Sequence, residues 1–232
     1  MSPVPPPAGD AQVARFAVLD TCAVSDALDA LGLDGVVDGL RPVWEGARVA
    51  GRAVTTRLVP GPPGAGPPTV HLGVRAIESA APGDVIVIDN GGRAGMGSWG
   101  GLLTLAASLR QVAGVVTDGA CRDVDEARVL AFPVFARGGA VRTARGRVHE
   151  QSRGEPVAIG GVTVHPGDVV IADGTGVVVV AAGDAERVLA VAERIVGREG
   201  LMQADLRAGK PVSQVLGTDY EGMLVRPADA AS

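Results

Sequence analysis

An arginine and an aspartate, Arg122 and Asp123, stand side by side where the apolar segment GVVTDGAC gives way to the helix-like segment DVDEARVL. Open α/β sheets usually bind ligands at such points, where a parallel strand ends and a helix begins. A hard divalent cation needs only one or two protein carboxylates, because water and substrate oxygens complete its coordination. Asp123 is therefore a candidate ligand for Mg²⁺ or Mn²⁺, and Arg122 is a candidate to stabilise a negatively charged oxygen beside it.

Upstream lies a second candidate site, the glycine-rich stretch NGGRAGMGSWGGLLT at 90–104. Glycines before a helix let an anion approach the unpaired N–H groups of its first turn, and we expect the segment WGGLLT to hold a carboxylate in this way. Two alternatives stay open: a glycine loop without a ligand, and a dinucleotide fingerprint, because Gly95, Gly97 and Gly100 spell GxGxxG. The fingerprint fits poorly, since five residues separate the preceding strand from its first glycine.

The other reactive residues give weaker signals. Asp118 could support the metal ligand, whereas Asp125 and Glu126 are more typical of a solvated helix face. Cys121 has no histidine near it in sequence and is expected to be an ordinary thiol. The histidines are too scattered for a zinc site or an obvious base; they are His71, His149 and His165.

Composition limits the classes of function. A chain of 232 residues with 47% hydrophobic residues can bury a full core. Its net charge of −5 and its 3% of aromatic residues disfavour nucleic-acid binding. No apolar run approaches the roughly 20 residues that cross a bilayer, and the first residues do not resemble a signal peptide. Two cysteines without a paired pattern agree with a reducing compartment, so we expect a cytoplasmic protein without membrane contacts.

The pattern along the chain predicts a mixed α/β fold. Alternating strands and helices between residues 85 and 130 indicate parallel β-α-β units, and short β-branched runs from Val157 indicate antiparallel hairpins. We expect a loose tail at 1–12 and one domain at 13–232, an α/β/β sandwich with a mixed sheet. The predicted helices are 21–31 with Thr21 as its cap, 70–80, 102–110, 122–130, 184–198 and 201–208, and the predicted β segments are 43–59, 85–89, 112–118, 133–136 and 157–180.

Six segments, in consistent order, resemble one known family. They are VSDAL at 24–28, PGDVIVIDNGG at 82–92, WGGLLT at 99–104, GVVTDGACRDVDE at 114–126, PVFARG at 133–138 and GGVTVHPGDVVIADGTGVVVV at 160–180. The chain is similar, from about Thr21 to Arg207, to the family that contains 4-hydroxy-4-methyl-2-oxoglutarate aldolase and the RraA-like regulators of ribonuclease E. The resemblance implies an α/β/β sandwich of the swivelling-domain type, assembled as a homotrimer or a dimer of trimers.

The aldolase branch of the family implies a class II retro-aldol reaction that depends on a divalent metal and yields pyruvate, with an accompanying oxaloacetate decarboxylase activity. By position, Asp123 would bind Mg²⁺ or Mn²⁺ and Arg122 would stabilise the enolate. A glutamate of a neighbouring subunit also takes part, and Glu199 is the best match, with Glu193 in reserve. The resemblance assigns the pyruvate carboxylate to the backbone amides of Gly100, Gly101, Leu102 and Leu103.

Gly101 departs from the family pattern, because some aldolase members carry an acidic residue at this place that orients a metal-bound water. The part of the substrate beyond the pyruvate unit has no assigned pocket, although Arg137 is a candidate. The alternative function is that of an RraA-type regulator, which binds and inhibits a ribonuclease without catalysis. A nicotinamide-dependent redox enzyme is the third possibility, and we expect no such cofactor.

Overall fold

Short apolar segments separated by glycine, proline and aspartate give this chain many short strands and one long helix. The structure, a computed structural model, describes residues 10–61 and 70–217. Helices among these residues are α1 (Ala11–Phe16), α2 (Thr21–Leu31), α3 (Val74–Ser79), α4 (Gly101–Leu109), α5 (Val124–Val129), α6 (Ala185–Arg207) and α7 (Val212–Val215). Strands are β1 (Val36–Val37), β2 (Arg41–Pro42), β3 (Val49–Pro60), β4 (Val85–Asp89), β5 (Gly97–Trp99), β6 (Gly114–Thr117), β7 (Ala120–Cys121), β8 (Val134–Ala136), β9 (Val148–Arg153), β10 (Val157–Ile159), β11 (Val162–Val164), β12 (Val169–Ala172) and β13 (Val177–Val180).

One mixed sheet organises the fold, with the strand order β1-β13-β12-β3-β4-β6-β8-β2 and with β9 paired to β3 outside this path. Strands β3, β4, β6 and β8 run parallel, while the other neighbours in the sheet are antiparallel. β3 joins the two halves, because residues 49–52 pair with β12 and residues 53–57 pair with β4. Two small sheets, β10-β11 and β5-β7, lie outside the main one.

Both faces of the sheet are covered by apolar groups. On β4, Ile86 and Ile88 pack with the helices α3, α4 and α5, whereas Val85 and Val87 pack with the β10-β11 hairpin on the opposite face. Helices α1, α2 and α6 cover the antiparallel half through β12 and β13. Burial on two faces explains why the segment VIVID is apolar without alternation. The expected α/β/β arrangement, with parallel β-α-β units and a β-rich C-terminal half, is confirmed.

Several predicted elements are confirmed, with small corrections at their ends. The α2 helix and the β4 strand have the predicted bounds, and Gly32 ends α2 in the left-handed conformation. The N-cap of α2 is Asp20 rather than Thr21, since the Asp20 carboxylate accepts the N–H of Ala23 at 2.8 Å. Thr21 instead donates both its N–H and its hydroxyl to the carboxylate of Asp173.

Other elements differ from the prediction. The separate helix expected at 201–208 is wrong, because α6 runs without interruption to Arg207. None of its residues from 196 to 207 is buried, so its second half leaves the core. Strand β9 was not predicted, and β3 begins at Val49, six residues later than expected.

Two of the predicted segments fall partly outside the described residues. Of the tail expected at 1–12, only 10–12 is described, and α1 already begins at Ala11 with Asp10 as its N-cap. The glycine- and proline-rich segment GPPGAGPP at 61–68, whose composition predicts an irregular loop, lies outside the described residues except for Gly61. Across residues 10–61 and 70–217, none of the helices combines the length and the apolar character that crossing a membrane requires.

Candidate active site

The N-termini of α4 and α5 lie side by side because the strands before them pair. β5 and β7 are parallel, with Gly97 opposite Ala120 and Trp99 opposite Cys121. Beyond β7, the N–H of Arg122 donates to the Trp99 carbonyl at 2.9 Å. Two strand-to-helix connections that are distant in sequence are thereby joined by their backbones.

Asp123 occupies a strained position at the start of α5. Its φ and ψ of 57° and 42° are left-handed, a conformation that costs a non-glycine residue about 1–3 kcal/mol, although aspartate adopts it more readily than most. The conformation aims the side chain at α4, where Oδ2 accepts the N–H of Gly101 at 3.0 Å. The carbonyl of Asp123 accepts the N–H groups of Glu126 and Ala127. The carboxylate is therefore held between two helix N-termini.

Arg122 brings a guanidinium to the same place. Its stem lies against Gly97, where a Cβ would stand 2.9 Å from Cδ of the arginine, so a side chain at position 97 would displace it. The side chain is half-buried, and its guanidinium makes no hydrogen bond or ion pair within the described residues. Arginine donors without a protein partner beside a cavity are suited to an anionic ligand.

The first turn of α4 supplies backbone donors. The N–H of Gly101 is used by Asp123, while no acceptor among the described residues pairs with the N–H of Leu102 or Leu103. The indole of Trp99 donates to Thr104 Oγ1, which in turn donates to the Gly100 carbonyl, and this fixes the loop. Two of the four predicted amides are therefore free helix N-terminal donors for an anion.

One cavity of about 210 Å³ connects these groups. It is lined by His71, Leu72, Gly97, Ser98, Trp99, Gly100, Gly101, Leu102, Leu103, Arg122, Asp123, Thr143, Ala144 and Arg145. The segment with Thr143 and Arg145 was missed by the sequence analysis. It is held to β5 by the hydrogen bond from the Gly97 N–H to the Arg142 carbonyl and by a bridge between Gly97 and Thr143. These contacts span more than 40 residues, and no local pattern announces them.

Asp118 and Arg137 lie elsewhere. Together they line a separate surface depression, and the Nε–H of Arg137 donates to the Asp118 carbonyl. The Asp118 carboxylate accepts the N–H groups of Asn90 and Gly92, and burial raises its pKa. It braces the glycine-rich loop rather than lining the cavity of Asp123, and Arg137 is likewise absent from that cavity.

Glu199 and Glu193 are on α6, away from the cavity of their own chain. Glu193 is bound by the guanidinium of Arg15, which lowers its pKa. Glu199 makes no hydrogen bond or ion pair within the described residues, and its pKa is raised by burial and by the negative charges of Asp20 and Asp26. Of the two candidates, Glu199 is the one whose carboxylate is available to another molecule.

The donor set fits a hard divalent cation. Groups of three or more histidine, cysteine or acidic side chains that could enclose a metal do not occur in the described part of the chain. Asp123 offers one carboxylate oxygen that accepts no hydrogen bond from the described residues, beside an open cavity. Mg²⁺ and Mn²⁺ accept this arrangement when water and substrate supply the other ligands.

Two other expectations concern residues near the cavity. Cys121 is buried, which raises its pKa to about 12, with a further contribution from Asp123; this agrees with an unreactive thiol. The stretch from Gly95 to Gly100 contains a strand, β5, instead of the single tight turn that a dinucleotide fingerprint requires. The structure therefore gives the nicotinamide hypothesis no support.

The chain matches one family model, described as RraA-like: Aldolase/RraA, over residues 21–179. A protein of Halalkalibacterium halodurans, provisionally named as a 4-hydroxy-4-methyl-2-oxoglutarate aldolase, is 34% identical over 187 residues, which are 78% of this chain and 82% of that protein. Protein DlpA of Legionella pneumophila is 35% identical over 161 residues; these are 69% of this chain but only 26% of DlpA.

A solved structure extends the comparison to the fold. Streptomyces coelicolor RraAS2, described as an unusual member of the RNase ES inhibitor RraA protein family, superposes with a TM-score of 0.75 at 27% identity, covering 85% of this chain and 98% of RraAS2.

Proposed function

The chain belongs to the RraA-like family of aldolases and RraA proteins, and we propose on that basis that it is a divalent-metal-dependent lyase. It would cleave 2-keto acids of the 4-hydroxy-4-methyl-2-oxoglutarate type to pyruvate and decarboxylate oxaloacetate. One observation carries the proposal: the guanidinium of Arg122, the carboxylate of Asp123 and the N–H groups of Leu102 and Leu103 line one cavity, and within the described residues that guanidinium and those two N–H groups have no hydrogen-bond partner. A protein that only binds another protein has no evident need of this set.

The roles follow from charge. The N–H groups of Leu102 and Leu103 would bind the substrate carboxylate at the positive end of α4. Arg122 would donate to the 2-keto oxygen as it gains negative charge. Mg²⁺ or Mn²⁺ held by Asp123 would supply a Lewis acid that polarises the same oxygen.

The two reactions differ in their need for a base. Oxaloacetate loses its C4 carboxylate as CO₂, and the electron pair of the broken bond enters the enolate that Arg122 stabilises, so no base is required. Aldol cleavage breaks C3–C4 only when the C4 hydroxyl gives up its proton. We assign this proton transfer to Glu199 of a neighbouring subunit, because its carboxylate has no partner among residues 10–61 and 70–217 and stands on the half of α6 that leaves the core.

A site shared between subunits needs an interface near Gly101, and the surface there supports one. Leu102, Leu105 and Val129 are 85%, 43% and 76% exposed and line one depression beside Gly101. Exposed apolar side chains grouped in this way are typical of contacts between proteins. A homotrimer or a dimer of trimers would cover them.

The lining of the cavity favours a second acidic group on the substrate. Arg145 and His71 both line the cavity, and neither pairs with a carboxylate in the described chain. A guanidinium at this place would bind the distal carboxylate of a dicarboxylic 2-keto acid. This supports small dicarboxylic 2-keto acids as substrates over monocarboxylic ones.

Pyruvate release from oxaloacetate, followed with lactate dehydrogenase, tests the proposal. We expect turnover with Mg²⁺ or Mn²⁺, loss of turnover with EDTA, and a decrease of about 100-fold or more for Asp123→Asn. Asparagine tolerates the left-handed conformation, so the variant should fold. Asp125→Asn is the matched control, because Asp125 lies on the same turn but pairs with Arg128 at the surface.

Equal, EDTA-resistant turnover in every sample would contradict the lyase proposal. The ribonuclease-inhibitor alternative, which rests on the likeness to RraAS2, would then become the better explanation. Inhibition of a ribonuclease that survives in Asp123→Asn would support that alternative directly.

A further inference from the structure

The segment between β8 and β9, which forms part of the cavity wall, carries a row of exposed arginines. They are Arg142, Arg145 and Arg147. The backbone that bears them is fixed at both ends of the row. The N–H of Gly97 donates to the Arg142 carbonyl at 2.9 Å, and the N–H of Arg147 donates at 2.9 Å to the carbonyl of Ala144, which is buried. The three side chains therefore start from a well-defined place at the edge of the cavity.

These arginines are not neutralised by carboxylates of the described residues. The ion pairs there involve other cations. The side chains of Arg142 and Arg145 donate no hydrogen bond to the described residues, and Arg147 donates only to the Thr143 carbonyl, at 3.0 Å. Because the whole chain has a net charge of −5, the row is a local positive region on an acidic protein.

The ligands of the proposed reaction are anions of different charge. Near neutral pH oxaloacetate has two ionised carboxylates and pyruvate has one. Asp123 is the one carboxylate in the cavity lining, and the cation proposed there would offset its charge. Charges act on each other over a Debye length, roughly 10 Å at 0.1 M salt, so arginines at the edge of the cavity attract an anion before they touch it.

We propose that Arg142 and Arg147 favour doubly charged substrates by this long-range attraction. Unlike Arg145, they are not among the residues that line the cavity, so neither would contact the reacting atoms. Their effect would fall on kcat/KM, which includes the approach of the substrate, and not on kcat. The inference rests on the proposed function, because it concerns the entry of 2-keto acids into this cavity.

Oxaloacetate decarboxylation at several ionic strengths tests the inference. The wild type is compared with the variant that carries both Arg142→Gln and Arg147→Gln. We expect kcat/KM of the variant to be lower by about 3- to 10-fold at 0.01 M salt, where the Debye length is about 30 Å. At 1 M salt, where it is about 3 Å, the difference should shrink to less than about twofold. The value of kcat should stay within about twofold of the wild type throughout.

The charge of the ligand gives a second readout. Coulomb energy is proportional to charge, so the inhibition constant of pyruvate should rise by only about the square root of the factor by which kcat/KM for oxaloacetate falls. A structural disturbance of the segment would depend neither on ligand charge nor on salt.

The matched control carries Arg41→Gln and Arg187→Gln, which remove the same total charge elsewhere. Arg41 lies against Gly176 between β12 and β13, and Arg187 pairs with Asp184 at the start of α6. We expect kcat/KM of this control to stay within about twofold of the wild type at every salt concentration, because its two sites belong to the antiparallel half of the fold.

Three results would overturn the inference while leaving the lyase proposal intact. They are a wild-type kcat/KM in the Arg142→Gln and Arg147→Gln variant at 0.01 M salt, a loss that persists undiminished at 1 M salt, and a loss of equal size for pyruvate and oxaloacetate. A wild-type protein that releases no pyruvate from oxaloacetate in the presence of Mg²⁺ or Mn²⁺ would overturn both.

Discussion

At the scale of single residues, the backbone of Asp123 shows how the site is made. Left-handed φ and ψ angles are unfavourable for an aspartate, yet two hydrogen bonds keep the residue there. The N–H of Gly101 on α4 donates to the Asp123 carboxylate, and the N–H of Arg122 donates to the Trp99 carbonyl on β5. The backbone conformation of Asp123 lowers the stability of the folded protein, and it makes the carboxylate face the cavity. Strain of this kind is concentrated at functional sites.

A pair of substitutions separates this strain from the function. We expect Asp123→Gly to be more stable than Asp123→Ala by about 1 kcal/mol, because only glycine adopts the left-handed conformation freely. Both variants should lose metal-dependent turnover. Urea unfolding measures the difference in the free energy of unfolding.

Gln111 is the matched control, since its φ of 59° is also left-handed. Gln111→Gly should be more stable than Gln111→Ala, and both variants should keep full activity. Equal stability of Asp123→Gly and Asp123→Ala would contradict the argument.

The residues of the candidate site could be predicted from sequence where they follow each other along the chain. Arg122 and Asp123 stand at a strand-to-helix junction, and the segment WGGLLT opens the next helix upstream, so local pattern was sufficient. Arg145 and His71 reach the cavity only through tertiary contacts. Asp118 was placed too near the metal ligand, because adjacency in sequence concealed that its side chain turns toward the glycine loop.

At the scale of elements, too, the local sequence pattern predicts some elements, while others depend on contacts between distant segments. Strand β4 was predicted with its bounds because burial on both faces leaves an unbroken apolar run. Strand β9 was missed because it pairs only with β3 and carries polar, half-exposed residues. Helix α6 passes through Gly197 and Gly200, each of which costs a helix about 1 kcal/mol, and neighbouring turns with good helix formers outweigh that cost.

Helix α1 is too short for its period to be recognised, yet it is firmly attached. Phe16 is fully buried beneath α6 and the sheet, and Arg15 forms exposed ion pairs with Glu186 and Glu193. We expect Phe16→Ala to lower the free energy of unfolding by about 3–5 kcal/mol. Arg15→Ala should have a far smaller effect, since exposed ion pairs are screened by salt.

Urea unfolding followed by circular dichroism gives both values. If Phe16→Ala lowers the free energy of unfolding by no more than Arg15→Ala does, then α1 is attached to the surface and is not a part of the core.

At the scale of the whole molecule, Glu199 of a neighbouring subunit is the proposed proton acceptor of the site. A mixture of two inactive chains tests this. We expect Glu199→Ala alone to lose aldol cleavage by about 10²–10⁴-fold and to keep oxaloacetate decarboxylation, and Asp123→Asn to lose both. When the two chains assemble at random in equal amounts, about a quarter of the sites in a ring should combine an intact Asp123 with an intact Glu199.

Aldol cleavage should therefore return to about a quarter of the wild-type rate in the mixture. Homogeneous samples of each variant, treated in the same way, are the controls. No recovery in a mixture that demonstrably forms mixed oligomers would place the proton acceptor elsewhere.

Strand β3 has a consequence that reaches beyond catalysis. It pairs with β12 at its start, with β4 along its middle and with β9 at its end, so the antiparallel and the parallel halves each borrow the same twelve-residue strand. Without β3, strand β12 in one half and strand β4 in the other would each lose a hydrogen-bonded neighbour. The two halves are therefore not independent folding units. A chimaera of two relatives would have to take both halves from the same parent to keep a single cooperative unfolding transition.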